Sequence, residues 1–264
     1  MNRAQIKCNG VHQKIEVNVD PSKNSVLIEK QTLALNELNL DAPITGTVYG
    51  TLLNYKGELD ELGAAMYEAP YNTPPKAPIL YIKPINTIIG NQKPIPMPND
   101  MKEIQIGAAL GIVIGKNAFK VSEENALEYV SGYTIVNDVS IPHNSFYRPA
   151  IKQKARDGFC PIGPWIIERD AILNPDNLKI SVYINNILKQ ENSTSNLIRP
   201  VSRLISEISS FMTLYEGDTL LVGVPENPPI AKNGDQIRIE IEGIGSLENK
   251  VELETNYFKM EAVK

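Results

Sequence analysis

Ile15, Val17 and Val19 alternate with polar neighbours and fall on one face of an extended segment, and Val26-Leu27-Ile28 follows a Pro21–Asn24 turn. These stretches predict a small β unit over residues 1–42, with Asp41-Ala42-Pro43 as a hinge into a body of residues 43–264. From Gly46 onward the pattern is continuous, without a low-complexity linker or a short-period repeat. Proline crowds between Pro70 and Pro98, and a stretch so poor in N–H donors predicts loops and sheet-edge segments rather than helix. Leu110–Ile114 reads as a buried strand closed by Gly115-Lys116, and Leu178–Asn185 as an alternating strand. Ser122 ahead of Glu123 and Glu124 has the form of an N-cap with an acidic first turn, which predicts a helix toward Tyr133. Pro200 suits a first helical turn, and Val201, Leu204, Ile205, Ile208 and Met212 form a helical stripe behind it. Gly217-Asp218 and Gly234-Asp235 are turns ahead of the strands Thr219–Val224 and Gln236–Glu242. The pattern predicts a mixed β, α+β chain with two or three helices, not a doubly wound sheet.

Composition narrows the chemistry. The 264 residues are 42% hydrophobic and 22% charged with a formal net charge of -5, enough to build a sizeable core. No basic stripe suggests nucleic acid. The longest apolar or glycine run, Ala108 to Gly115, is too short to span a bilayer, and MNRAQIKCNG has no apolar signal core. Two isolated cysteines fit a reducing compartment, so a cytoplasmic location is expected. Cys8, His12, His143 and Cys160 show no CxxC or HxxxH spacing, which argues against a Cys/His zinc site. No GxGxxG or Walker motif opens a helix. Acid–base chemistry must therefore rest on carboxylates, Lys or Tyr.

Asp138 follows the apolar stretch Tyr133 to Val136, a strand end from which a carboxylate can face a pocket. Lys154, Arg156 and Arg148 can bind a carboxylate, Arg by a bidentate fork and Lys as a point charge. The same residues also suit a charged loop with surface ion pairs. His143, in the Ile141–Ser145 loop, reads as a surface residue, and Glu58-Leu59-Asp60-Glu61 also suits a solvated helix start.

Several segments occur in a familiar order: Gly46-Thr47-Val48-Tyr49-Gly50 with Leu53-Asn54-Tyr55, Ile82-Lys83-Pro84, Val113-Ile114-Gly115-Lys116, Asn137-Asp138-Val139-Ser140, Lys154 to Pro164, and Phe211-Met212-Thr213-Leu214 before Gly217-Asp218. Together they resemble the fumarylacetoacetate hydrolase family from about Gly46 to Val251. Phe146-Tyr147-Arg148-Pro149 and Lys154-Ala155-Arg156-Asp157-Gly158 look most like its isomerase/decarboxylase branch in homoprotocatechuate (4-hydroxyphenylacetate) degradation. That branch handles 5-oxopent-3-ene-1,2,5-tricarboxylate and 2-hydroxyhepta-2,4-dienedioate. The resemblance implies a mixed β-sandwich roll, a homodimer and a small carboxylic acid substrate. It also implies Mg²⁺ or Mn²⁺ held by a Glu-x-Glu and the Asp of Asn-Asp-Val-Ser.

This chain departs from that pattern. Gly107 and Ala109 stand at the Glu-x-Glu positions, so Asp138 is the remnant of a metal site whose full form is expected to be absent and no cofactor is expected. The acid–base segment Asn-Tyr-x-x-His-x-x-Glu reads Asn54 to Glu61 here, with Glu58 in place of His and Glu61 retained. Gly-Thr-Pro becomes Gly223-Val224-Pro225. The resemblance assigns proton transfer to Glu58 or Glu61, enolate or carboxylate binding to Lys154, and substrate binding to Arg148, Lys83, Tyr147 and Asn137. It implies the metal-poor half of a paired isomerase/decarboxylase working beside a metal-bearing paralogue. The alternative is a non-catalytic scaffold or ligand-binding subunit with a relic site.

Overall fold

In the computed structural model, which describes residues 1–143 and 150–255, two large sheets pack around a continuous apolar core. The first has 12 strands. Its main path runs Gln31–Ala34, Ser25–Ile28, Ile15–Asp20, Asn2–Cys8, Cys160–Glu168, Val130–Asn137, Ala108–Ile114, Thr219–Leu221, Val48–Leu52 and Ile79–Lys83. Most neighbours are antiparallel, but Thr219–Leu221 runs parallel to Val48–Leu52. The second sheet joins Ile187–Ser193, Lys179–Ile184, Gln236–Ile241, Gly245–Leu253 and Ile95–Met97. Residues 1–42 do not stand apart from the body: Ala4 and Gln5 pair with Ile167 and Ile166, so the N-terminal strands extend the first sheet.

The central strands read as unbroken apolar runs because both of their faces are covered. Every residue of Ala108–Ile114 is buried. Trp165, fully buried on Cys160–Glu168, donates its indole N–H to the Ile244 carbonyl at 2.7 Å and so ties the first sheet to the turn between two strands of the second. Truncating such a residue costs about 3–5 kcal/mol. The helix Val201–Ser209 buries Val201, Leu204, Ile205 and Ile208, the stripe expected of it, and Met212 packs partly buried just beyond its end.

The Pro-rich stretch supplies the edge strand Ile79–Lys83 of the first sheet and the edge strand Ile95–Met97 of the second. One expectation fails. The helix predicted from Ser122 toward Tyr133 is a 3-10 segment, Glu123–Tyr129, after which the chain enters the strand Val130–Asn137. The Ser122 hydroxyl accepts from the Asn125 side chain at 3.1 Å instead of capping a backbone N–H. Beyond Tyr129, Val130, Thr134, Ile135 and Val136 are β-branched, and this strand is laddered on both sides. That pairing outweighs a weak helical start. Among the described residues no helix is long and apolar enough to cross a membrane.

Candidate active site

A cavity of about 320 Å³ opens where the edge strand Ile79–Lys83, the end of Val130–Asn137 and the segment after Thr219–Leu221 converge. A larger trough of about 610 Å³ lies beside Asp20, Lys179 and Glu240, but it is open to solvent and gathers no comparable buried charge cluster. Asp138, one residue past its strand, is fixed through its own backbone: its N–H donates to the Gly107 carbonyl at 2.7 Å. Its carboxylate has no solvent exposure and meets three side chains. Lys154 Nζ, from the short helix Ile151–Lys154, donates to Oδ2 at 2.6 Å. The Tyr81 hydroxyl donates to the same oxygen. Lys83 Nζ lies 2.9 Å from Oδ1 as a charge contact rather than an aligned hydrogen bond, because it donates to the carbonyls of Lys154 at 2.7 Å and Val139 at 3.2 Å.

Burial alone raises the pKa of Asp138, but Lys154 and Lys83 reverse this and hold the carboxyl well below the usual carboxylate range. Asp138 is therefore a permanent anion at neutral pH. Tyr81 moves the other way, its phenol pushed well above the ordinary value by burial and by the Asp138 charge. It stays a donor. The Lys154 ammonium also sits 4.9 Å over the Tyr81 ring, and Gly50, opposite Tyr81 in the ladder, leaves the space that the ring fills.

The facing wall comes from the helix Lys56–Leu62. Its approach is set by Asn54, which is fully buried and bonds the Val222 carbonyl at 2.7 Å, the Arg199 carbonyl at 3.2 Å and the Arg199 N–H at 3.0 Å. That anchorage holds Leu53 at φ 55°, a left-handed conformation unfavourable for a side chain of this size. The turn delivers Glu58 to the cavity, half-buried, with its carboxylate accepting the Tyr55 N–H at 3.3 Å. Desolvation pushes the Glu58 carboxyl up to about 7, despite the backbone bond and the Lys154 charge, which pull it down. One wall thus holds an ammonium and the other a carboxyl group poised near neutrality.

Of the residues singled out in the sequence, Glu58, Glu61, Asp138 and Lys154 line this one cavity. Glu61 is exposed at its rim and accepts from Asn227. Lys83 and Asn137 lie behind it: Lys83 underpins Asp138, and Asn137 Oδ1 accepts the Gly107 N–H at 3.1 Å. Tyr147 and Arg148 fall outside the described residues. Arg156 points away, donating to the Lys152 carbonyl at 3.0 Å. His143, read as a surface residue, instead lines the cavity. Tyr81 and Glu226 also line it and were missed. Period-two alternation could have found Tyr81, two residues before Lys83 on one strand. Glu226, on an irregular segment after Val224-Pro225, carries no such signal.

The donor set does not fit a divalent cation. Both Asp138 oxygens already face ammonium groups. A Cβ on Gly107 would meet the Asp138 carbonyl oxygen at 2.5 Å, and Ala109 is fully buried in an apolar cluster with Val113, Val136 and Cys160. Hard cations need several oxygen ligands, and among the described residues no three His, Cys, Asp or Glu side chains gather to supply them.

Comparison with known proteins gives a consistent result. The fumarylacetoacetate (FAA) hydrolase C-terminal family matches residues 47–252. The 4-hydroxyphenylacetate degradation bifunctional isomerase/decarboxylase of Escherichia coli is 45% identical over 206 residues, covering 78% of this chain and 47% of that protein. The chain spans about half the length of the curated relatives it matches at this level. A crystal structure of 2-hydroxyhepta-2,4-diene-1,7-dioate isomerase from Mycobacterium marinum superposes with TM-score 0.76 at 27% identity, covering 96% of this chain and 99% of that one. The 5-carboxymethyl-2-hydroxymuconate delta-isomerase of Mycobacterium smegmatis gives TM-score 0.76 at 28% identity, covering 96% and 100%.

Proposed function

Because the chain belongs to the fumarylacetoacetate hydrolase family, we propose that it is a proton-shift isomerase of an unsaturated 2-hydroxy or 2-oxo dicarboxylic acid, working without a metal ion. The observation that carries this reading is the pairing across one cavity of the Lys154 ammonium with the near-neutral Glu58 carboxyl. A 2-hydroxy-2,4-dienoate becomes a 2-oxo-3-enoate when the 2-hydroxyl loses its proton and C5 gains one. The O–H electrons become the carbonyl π bond, the C2=C3 pair moves to C3=C4, and the C4=C5 pair forms the new C5–H bond. Lys154 stabilises the dienolate oxygen, with Asp138 and Lys83 holding its ammonium in place. Glu58 carries the proton between oxygen and carbon, as a group titrating near working pH can do in either direction. The names of the Escherichia coli and Mycobacterium marinum relatives support an isomerase. In a paired enzyme, carbon–carbon cleavage would fall to a metal-bearing paralogue. A cytoplasmic homodimer is the proposed setting, with the dimer checked by sedimentation.

The test is loss of the dienol ultraviolet absorbance of 2-hydroxyhepta-2,4-dienedioate with the purified chain, in chelator and in added Mg²⁺. Turnover is expected in both, and Lys154→Ala should lower kcat by about 10²–10³, the usual loss when a stabiliser of a developing oxyanion is removed. Turnover that needs Mg²⁺, or that survives Lys154→Ala, refutes the proposal. A chain that binds the acid without turning it over is the relic subunit instead.

A further inference from the structure

We infer that the Gln105 carboxamide, braced by Ser140, binds the carboxylate at the far end of the acid and so selects a diacid over a monoacid. The inference rests on the proposed function and deepens it by naming the group that reads the second carboxylate.

The placement follows from the ladder. Ala108–Ile114 and Val130–Asn137 pair with Ala108 opposite Asn137, and the same register continues beyond both strands. The Asp138 N–H donates to the Gly107 carbonyl at 2.7 Å. Two residues further on, Gln105 bridges Ser140, each N–H donating to the other's carbonyl at 2.8 and 3.2 Å. Alternation then sorts the side chains. Ile106 and Val139 are fully buried in the apolar core, whereas Gln105, Gly107, Asp138 and Ser140 line the cavity. Gln105 and Ser140 therefore sit one two-residue repeat, about 6–7 Å, beyond the Gly107–Asp138 pair where Lys154 is held. That is about the reach, 6–7 Å, of the five bonds between C2 and C7 of a seven-carbon diacid.

The amide is also turned the right way for an anion. Ser140 is 4% exposed, and its hydroxyl donates to Gln105 Oε1 at 3.1 Å. That bond takes up the acceptor of the carboxamide and fixes its plane. Nε2 has no partner among the described residues, and the side chain is half-buried. The free end of Gln105 is thus a donor only, and its hydrogen bond is strongest to an ionised oxygen. Other polar groups of the lining are committed elsewhere. The Tyr81 hydroxyl donates to Asp138, Asn227 donates to Glu61, and Glu226 accepts from Asn192. An acid whose C2 oxygen meets the Lys154 ammonium finds the Gln105 donors at its other end.

The test is calorimetric binding of 2-oxoheptanedioate and 2-oxoheptanoate to the full chain. The two acids differ only in the far carboxylate, and neither has a C=C bond to shift. Wild type should bind the diacid about 10–100-fold more tightly, the worth of a hydrogen bond to a charged group. Gln105→Met keeps the length of the side chain without its donors and should bring the ratio close to one, the loss falling on the diacid. Gln105→Glu retains an acceptor for Ser140 but sets a like charge against the far carboxylate, and should bring the ratio below one. Two substitutions of different polarity keep the test open should one fail to fold. Lys154→Ala should weaken both acids and leave the ratio in place. A wild-type ratio near one, or a ratio unmoved in both Gln105 variants, overturns the inference and leaves the second carboxylate to another lining group such as His143. The proposed function survives that result, because both acids still bind. If neither acid binds wild type, the proposed function itself fails and this inference falls with it.

Discussion

Lys83→Met isolates the charge cluster under the cavity. Both partners of the Lys83–Asp138 pair have 0% side-chain exposure, so neither charge is shared with solvent. Removing one partner of a buried pair costs about 3–5 kcal/mol because the other charge stays buried. Asp138 keeps Lys154 and Tyr81, which moderates the loss. The carbonyls of Val139 and Lys154 lose their ammonium donor, which adds to it. The two corrections oppose each other, so the range stands. In a chain of this size it corresponds to a fall in Tm of about 6–15 °C, at about 2–3 °C per kcal/mol. The pH dependence adds a second readout. The Asp138 pKa is lower folded than unfolded, so its contribution is complete above the ordinary carboxylate range and is lost as acid protonates it. Without Lys83 the folded pKa rises, and the acid limb of stability should begin at a higher pH. Calorimetric melts of wild type and Lys83→Met between pH 3 and 8 test both. A Tm change below about 2 °C with an unmoved acid limb would mean that the pair is not an ionised one, and the account of Asp138 as a permanent anion would fall.

The other predictions concern the opposite wall and the missing ligands. Glu58→Gln should leave stability nearly unchanged at pH 4 and raise it by about 1–3 kcal/mol at pH 8: the folded carboxyl titrates near 7 against 4.5 unfolded, so wild type loses stability as pH rises through that window and the variant does not. Equal urea midpoints for the two proteins at pH 8 would contradict this. Asn54→Ala should cost about 2–3 kcal/mol in urea unfolding, since it strands two buried carbonyls and the Arg199 N–H and frees the strained Leu53 turn. Calorimetry with Mg²⁺ should show no binding tighter than millimolar; micromolar binding would overturn the reading of the donor set.

How much of this was legible in the sequence depends on how local the signal is. Ala108–Ile114 and the Val201–Ser209 helix were readable because an apolar run and a helical stripe are properties of the segment itself. The Ser122 start misled because a cap is a weak local preference, and the pairing of Val130–Asn137 with two strands lies elsewhere in the chain. The site divides in the same way. Asp138 and Lys154 stood out as charged residues at the ends of apolar or loop segments, whereas Tyr81 is an aromatic on a strand that most often packs a core. Glu226 is 168 residues from Glu58 in sequence and comes to the same cavity through the packing of its segment over Gly57. His143 read as surface because the loop's polarity says nothing of which side it turns to the cavity.

If, as the resemblance implies, Glu stands in relatives where this chain has Gly107 and Ala109, that difference and the two lysines of the cavity are two sides of one charge balance. Among the described residues Asp138 is the only carboxylate paired with Lys83 and Lys154, so the floor of the cavity carries one net positive charge, which suits the anionic acid or dienolate of the proposed function. Two further carboxylates at positions 107 and 109 would make that floor net negative, and it would repel the same acid until a divalent cation restored the single positive charge. A metal-bearing site and this one therefore present the substrate with the same charge by different means. In this chain the positive charge is the fixed ammonium of Lys154, held by Asp138 and always present, so it needs no ion to be captured before the acid binds. What it lacks is a Lewis acid able to chelate a 2-oxo acid through two oxygens, the stronger electron sink that carbon–carbon cleavage requires. A point charge suffices for the smaller demand of moving a proton along a conjugated dienol, which is why the proton-shift reading suits the residues present better than decarboxylation does.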